Sequence, residues 1–146
     1  MGSTLVFFMR QCFERKRYDQ VLRMGDTVLS AYPSTPARPD ALRYYADALV
    51  ELGQYDSAVV VYDQYIATSR SKADRATATY HIGQIYAEKF NDCEQALVLF
   101  DSSITAYGRG SGALQAQRQI PFCHLRLGKL EAAARAWRTM KSGRAY

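Results

Sequence analysis

Few residues in this chain are of a type that does chemistry, and fewer are spaced for it. The histidines are His81 and His124, with no His-x-x-x-His pair and no acid at metal-ligand spacing from either. Cys12, Cys93 and Cys123 are odd in number and form no Cys-x-x-Cys pair, so three free thiols are expected, not a disulfide framework or a zinc knuckle. Free thiols lean toward a reducing compartment. Cys123 next to His124 suggests a nucleophile beside a base, yet adjacent residues on a helix point about 100° apart. His124 also falls on a packing stripe, so a structural role is expected for it. "GRGSG", Gly108 to Gly112, reads as a hinge because it lacks the lysine and spacing of a phosphate loop. The sequence therefore predicts no catalytic residue, no metal site and no cofactor, and points to binding.

Composition allows that. A chain of 146 residues, 48% hydrophobic, is long enough to bury one core or a short array of repeated units. The apolar start Leu5 to Met9 is far too short to span a bilayer and lacks the layout of a signal peptide. With no targeting segment to read, periplasmic and cytoplasmic locations both stay open. The formal charge of +5 is lopsided: Arg109 to Tyr146 holds eight Lys or Arg against Glu131 alone, whereas Ala76 to Gly108 holds one Lys against four acids. Such asymmetry fits an acidic partner, nucleic acid or a solvated basic face.

The elements that would position these groups repeat. "KRYDQVLRMGDTVLSAYP" from Lys16, "GQYDSAVVVYDQYIATSR" from Gly53, "FNDCEQALVLFDSSITAYG" from Phe90 and "GKLEAAARAWRTMK" from Gly128 share one outline. Each follows a second helical stripe: Leu5, Phe8, Met9 and Cys12; Leu42, Tyr45, Ala46 and Leu49; Thr79, Ile82, Gly83 and Tyr86; Gln117, Ile120, Pro121 and His124. Offsets of three, four and three put each group on one face of a helix. The unit recurs about every 37 residues, counting from Gly2, Pro39, Ala76 and Leu114. Each unit reads as a helical hairpin. Gly53 stands where the first helix must stop, since glycine tolerates the left-handed conformation of a helix end. Ala58 lies where two backbones approach, and Tyr62, Tyr65 and Ile66 fill the space between hairpins.

These residues resemble the tetratricopeptide repeat (TPR) family over nearly the whole chain. The best copy carries Ala46, Leu49, Gly53, Tyr55, Ala58, Tyr62 and Tyr65. The first has Met9, Tyr18, Val21, Val28 and Pro33, and the third Gly83, Tyr86, Ala96, Leu97 and Phe100. The resemblance implies an all-α fold, an α-α superhelix of about four hairpins and eight helices, forming one domain with repeats near 2–35, 39–72, 76–110 and 114–146. The family's usual period is about 34 residues. The longer spacing here, with a Tyr-Pro ending and a Pro-Asp-Ala opening, looks like TPR proteins of the bacterial cell envelope. Three departures are expected to show. The third copy needs an extra residue near Asn91 and lacks the turn glycine. Pro121 falls inside a helix, where it should kink the chain near Gln117 or force a restart at Ile120. The last helix should cap the array, with Ala133, Ala134, Trp137 and Met140 inward and Glu131, Arg135 and Arg138 outward.

By the same resemblance, the first helices line a concave groove with Val6, Arg10 and Phe13; Arg43, Asp47 and Val50; Tyr80, Gln84 and Ala87; Arg118, Phe122 and Leu125. Arg10, Arg43 and Arg118 with Phe13, Tyr80 and Phe122 suit an extended peptide bearing acidic or carboxylate groups. Arg10, Asp47 and Gln84 stand where a carboxylate clamp would need Asn, so a chaperone-tail receptor is not expected. The expected function is a noncatalytic interaction module or scaffold for a protein or peptide, in a bacterial cell-envelope or signalling assembly. The alternative is nucleic-acid binding by the basic last unit, against which stands the lack of an interleaved aromatic platform. Self-association into a homo-oligomer is a third reading.

Overall fold

The computed structural model describes residues 2–108 and 110–141. Among them are eight α-helices and no strand: α1 (Gly2–Glu14), α2 (Tyr18–Ala31), α3 (Arg38–Glu51), α4 (Tyr55–Thr68), α5 (Lys72–Glu88), α6 (Cys93–Thr105), α7 (Ser111–Arg126) and α8 (Leu130–Lys141). Consecutive helices pair as hairpins, and the tight turns repeat one device. Lys16, Gly53, Asn91 and Gly128 all take positive φ, at 59°, 77°, 53° and 76°. After each, an amide reaches back to close the preceding helix: Arg17 N to Cys12 O at 2.8 Å, Gln54 N to Leu49 O at 2.9 Å and Lys129 N to His124 O at 2.8 Å. This is the bonding of a left-handed helix cap. In the third turn Asp92 N reaches Tyr86 O at 2.7 Å, one residue further back, which locates the extra residue. Asparagine substitutes for glycine there because it tolerates the left-handed region better than most side chains.

The chain divides into two compact units, one ending at Thr68 and the other beginning at Ser69. In the first, α1 packs on α2 and α3, and α3 packs on α2 and α4. Its core gathers Val6, Met9, Val21, Val28, Ala41 and Ala48, flanked by half-buried Phe13, Tyr18 and Tyr44. Ala58, Tyr62 and Tyr65 are buried, as expected of a close backbone approach and of residues filling the space between hairpins.

In the second unit α7 packs against α5, α6 and α8. Its core holds Tyr80, Ala96, Phe100, Ile104, Ala116, Ile120, Cys123 and Ala136. α5 and α7 begin ahead of the expected first positions Ala76 and Leu114, at Lys72 and Ser111. The earlier start of α5 has a local cause, since the Ser71 hydroxyl accepts from Asp74 N at 3.2 Å and supplies a side-chain cap.

Two expectations about the last hairpin are corrected. No restart occurs at Ile120: α7 is one helix from Ser111 to Arg126 with Pro121 inside it. The proline forfeits one backbone bond, a cost of ~3 kcal/mol, but its ring is fully buried. Burying an apolar side chain returns ~1.5–3 kcal/mol, and packing on three neighbouring helices holds α7 in place. The inward face of α8 is also not the expected one. Ala133 and Ala136 are buried, Ala134 is exposed, Met140 is half-buried and Trp137 is 38% exposed. The internal register explains Trp137. Its equivalent in α6, Phe100, lies against Gly83, where an added Cβ would come within 2.6 Å of the ring. In the last hairpin the repeat register puts the buried Pro121 at the position of Gly83, and a proline ring leaves no such opening. Trp137 instead rides outside, edge-on to Phe122 with ring centroids 5.8 Å apart.

Candidate partner-binding surfaces

In the first unit the spacing of Val6, Arg10 and Phe13 on α1, and of Arg43, Asp47 and Val50 on α3, puts each set on one helix face. Val6 is buried in the core. Arg10 is exposed and ion-paired to Glu14 at 3.1 Å, and that hydrogen bond raises its pKa above the ordinary arginine value. Phe13 is half-buried between two rings, 5.5 Å from Tyr18 and 5.9 Å from Tyr44. The exposed Arg43 holds its guanidinium carbon 4.7 Å from the centre of the Tyr44 ring. The structure thus brings Phe13 and Arg43 together through Tyr44, a residue absent from the sequence-based set. Its signal was its place beside Arg43, but its ring direction depends on α1 packing against α3.

Asp47 is committed elsewhere. It is half-buried and accepts the hydroxyl hydrogen bond of the buried Tyr62. Burial and the Asp47 carboxylate together raise the Tyr62 pKa far above that of free tyrosine. Asp47 therefore supports α3 on α4, leaving Arg10 and Arg43 as the cations facing solvent.

In the second unit the expected residues separate. Tyr80 is only 7% exposed and packs toward Phe100 with ring centroids 6.0 Å apart, which leaves little of its ring for a partner. Gln84 is half-buried and donates to Glu88 at 3.5 Å. Ala87 is buried, and its carbonyl accepts from Arg126 Nη1 at 2.9 Å while Nη2 donates to Asn91 at 3.2 Å. Arg126, not singled out by sequence, ties α7 to the end of α5. Arg118, Phe122 and Leu125 are exposed on one face of α7, with Phe122 at 51%.

Cys123 and His124 are not arranged as a nucleophile and its base. Cys123 is buried beside Cys93, and burial followed by that contact pushes its thiol pKa up to about 12, opposite to what a reactive cysteine needs. His124 Nδ1 is buried with no hydrogen-bond partner. Among the described residues, no three His, Cys, Asp or Glu side chains gather to hold a metal, and no helix is long and apolar enough to cross a membrane.

Eight helices in four capped hairpins, sealed by small and aromatic residues at a fixed register, define a TPR-like repeat fold. The solved structures of a putative kinesin light chain from Podosopora anserina, with nearly identical TPR-like repeats, share it. One superimposes with a TM-score of 0.69 at 16% sequence identity, covering 92% of this chain and 70% of that chain. A point-substituted form of the same protein gives 0.70 with the same identity and coverage. At that identity the likeness is one of fold. No family model matches this chain, and no curated protein matches it.

Proposed function

We propose that this chain is a noncatalytic interaction module whose first unit binds an extended, acidic segment of a partner protein. TPR-like repeat folds generally mediate protein–protein interaction. The observation that carries the reading is the Arg43 guanidinium over the Tyr44 ring, beside Phe13 and with Arg10 on the adjoining helix. A guanidinium held on an aromatic face is positioned before a ligand arrives, so a carboxylate can pair with it at reduced entropic cost. Phe13 and Tyr44 supply the apolar contact. Arg118 and Phe122 offer a second set of the same chemistry on α7. A scaffold of the bacterial cell envelope is the setting that the repeat spacing of 37 or 38 residues favours.

The test is fluorescence polarisation against a library of acidic peptides, with scrambled and amidated controls. Arg43→Glu should weaken the best binder at least ~10-fold, the loss of one charge-assisted contact of ~1.5 kcal/mol. Arg23→Glu, an exposed arginine on α2 of the same unit, should have little effect. Equal weakening by both variants would reduce the interaction to net charge and remove the site.

One observation favours nucleic acid as a second reading. The basic last hairpin does expose two rings, Phe122 and Trp137, beside Arg118 and Arg138. Those rings stand at 88° to each other and present no stacked platform, so the peptide reading is preferred.

A further inference from the structure

Within the second unit, α7 seats on α6 through a defined pair of stripes. From α6 come Cys93, Leu97, Phe100 and Ile104, and from α7 come Ala116, Ile120 and Cys123, all belonging to or packed against one core. Cys93 and Cys123 are both buried in that core, at 4% and 3% exposure.

The repeat register places the same two stripes elsewhere in the chain without such a mate. Advancing the α6 stripe by 37 residues gives Leu130, Ala134, Trp137 and Lys141 on α8. The four are exposed, Leu130 by 68%, whereas Cys93, Phe100 and Ile104 are buried. Setting the α7 stripe back by three units gives Thr4, Phe8 and Gln11 on α1. Thr4 and Phe8 are exposed, Phe8 by 49%, and Phe7 beside it by 57%, whereas Ala116, Ile120 and Cys123 are buried.

We infer that this chain associates head to tail with a second copy of itself, the exposed α1 face of one molecule seating on the exposed α8 face of the next, as α7 seats on α6. Register selects this occupant over others. The two uncovered faces are, position for position, the two halves of an interface the sequence already builds between α6 and α7. In that alignment Phe8 and Trp137 take the places of Ile120 and Phe100, and Gln11 and Leu130 those of Cys123 and Cys93, all four of which share one buried core. Gly2 to Met9 carries no ionisable side chain to desolvate. Lys141, the one charge of the α8 stripe, stands at the helix end, where its stem can cover apolar surface while the ammonium stays in water.

The contact is heterologous, so each added molecule leaves one α1 face and one α8 face free until the chain of molecules closes into a ring. One helix on one helix is a small seat compared with the ~1,200 Å² or more that stable complexes bury. Association should therefore be weak and visible only as concentration rises.

Sedimentation velocity of the 146-residue chain, from ~10 μM to ~1 mM, a range that brackets weak association, tests the inference. The weight-average mass should climb past that of a dimer. Phe8→Glu and Leu130→Glu should each hold the protein monomeric, and both side chains are exposed enough for the fold to persist, as circular dichroism would verify. An equimolar mixture of the two variants should form a one-to-one dimer and nothing larger, because each retains one intact face. Thr4→Glu and Ala134→Glu provide a second pair if either variant misfolds. A wild-type monomer at every concentration would overturn the inference and leave these faces to the helices of another polypeptide. So would a mixture that stays monomeric, or a wild-type species that stops at two and ignores the substitutions.

Discussion

The Tyr62 hydroxyl donates a hydrogen bond to the Asp47 carboxylate across the α3–α4 hairpin, which ties the acid of the Arg43, Asp47 and Val50 set to the next helix. Tyr62 is 3% exposed, so its hydroxyl is costly to leave without this acceptor. Asp47→Ala should lower stability by ~1–3 kcal/mol, read as a shift in urea midpoint at constant slope. Asp47→Asn keeps an acceptor and should recover much of that loss. The same Asp47→Ala variant should bind an acidic peptide no more weakly than wild type, since removing a nearby negative charge does not harm the Arg43 face. A loss of peptide affinity larger than the loss of stability would return Asp47 to the binding set.

A close backbone approach governs the second unit. A Cβ at Gly112 would stand 2.4 Å from Thr77 Cα and 2.5 Å from Thr77 N, atoms that cannot swing aside as a side-chain tip could. Gly112→Ala therefore forces the start of α7 away from α5. It should destabilise by ~1–3 kcal/mol, the usual range for overpacking, even though alanine favours a helix over glycine by ~1 kcal/mol. Gly53→Ala is a useful contrast: nothing lies within 4 Å of its added Cβ, so its cost comes from the backbone φ of 77° alone. Thermal melts of both variants would separate the two causes, and a Gly112→Ala protein as stable as wild type would contradict the close approach.

The hairpin architecture was legible because its determinants are local. Helix stripes at offsets of three and four, and a turn residue recurring every 37 or 38 positions, can be read without knowing which helix meets which. Asn91 could be placed because the register needed one more residue at that point. What failed depended on contacts between elements. Proline at 121 suggests a restart at Ile120, yet α7 runs on through it and burial of the ring offsets the lost hydrogen bond in part. Trp137 reads as a core residue by size, but its fate turned on Pro121 standing at the position where Gly83 opens a slot for Phe100. The residues proposed for a partner surface divide by burial. Arg10, Arg43, Arg118 and Phe122 reach solvent, Tyr80 turns inward, and Tyr44 and Arg126 emerged only once the helices were packed.

His124 supplies a pH dependence whose sign follows from its neighbours. Its Nδ1 is buried without a hydrogen bond. Burial is the main cause of a pKa below the ordinary histidine value; Lys129 and Arg135 push the same way, and Asp101 opposes them in part. The folded state thus prefers neutral imidazole, and the unfolded chain takes up the proton more readily. The corresponding stability is fully present above the unfolded value of about 6.5 and is lost as pH falls through that value toward the lower folded one. Urea midpoints measured between about pH 7 and pH 5 should drop more steeply for wild type than for His124→Gln, in the window where histidine titrates. Arg135→Ala should move the His124 inflection upward in an NMR titration and leave that of His81 in place. Should His124→Gln keep the whole wild-type slope across that window, the destabilisation arises from carboxylates, and the buried imidazole has no part in it.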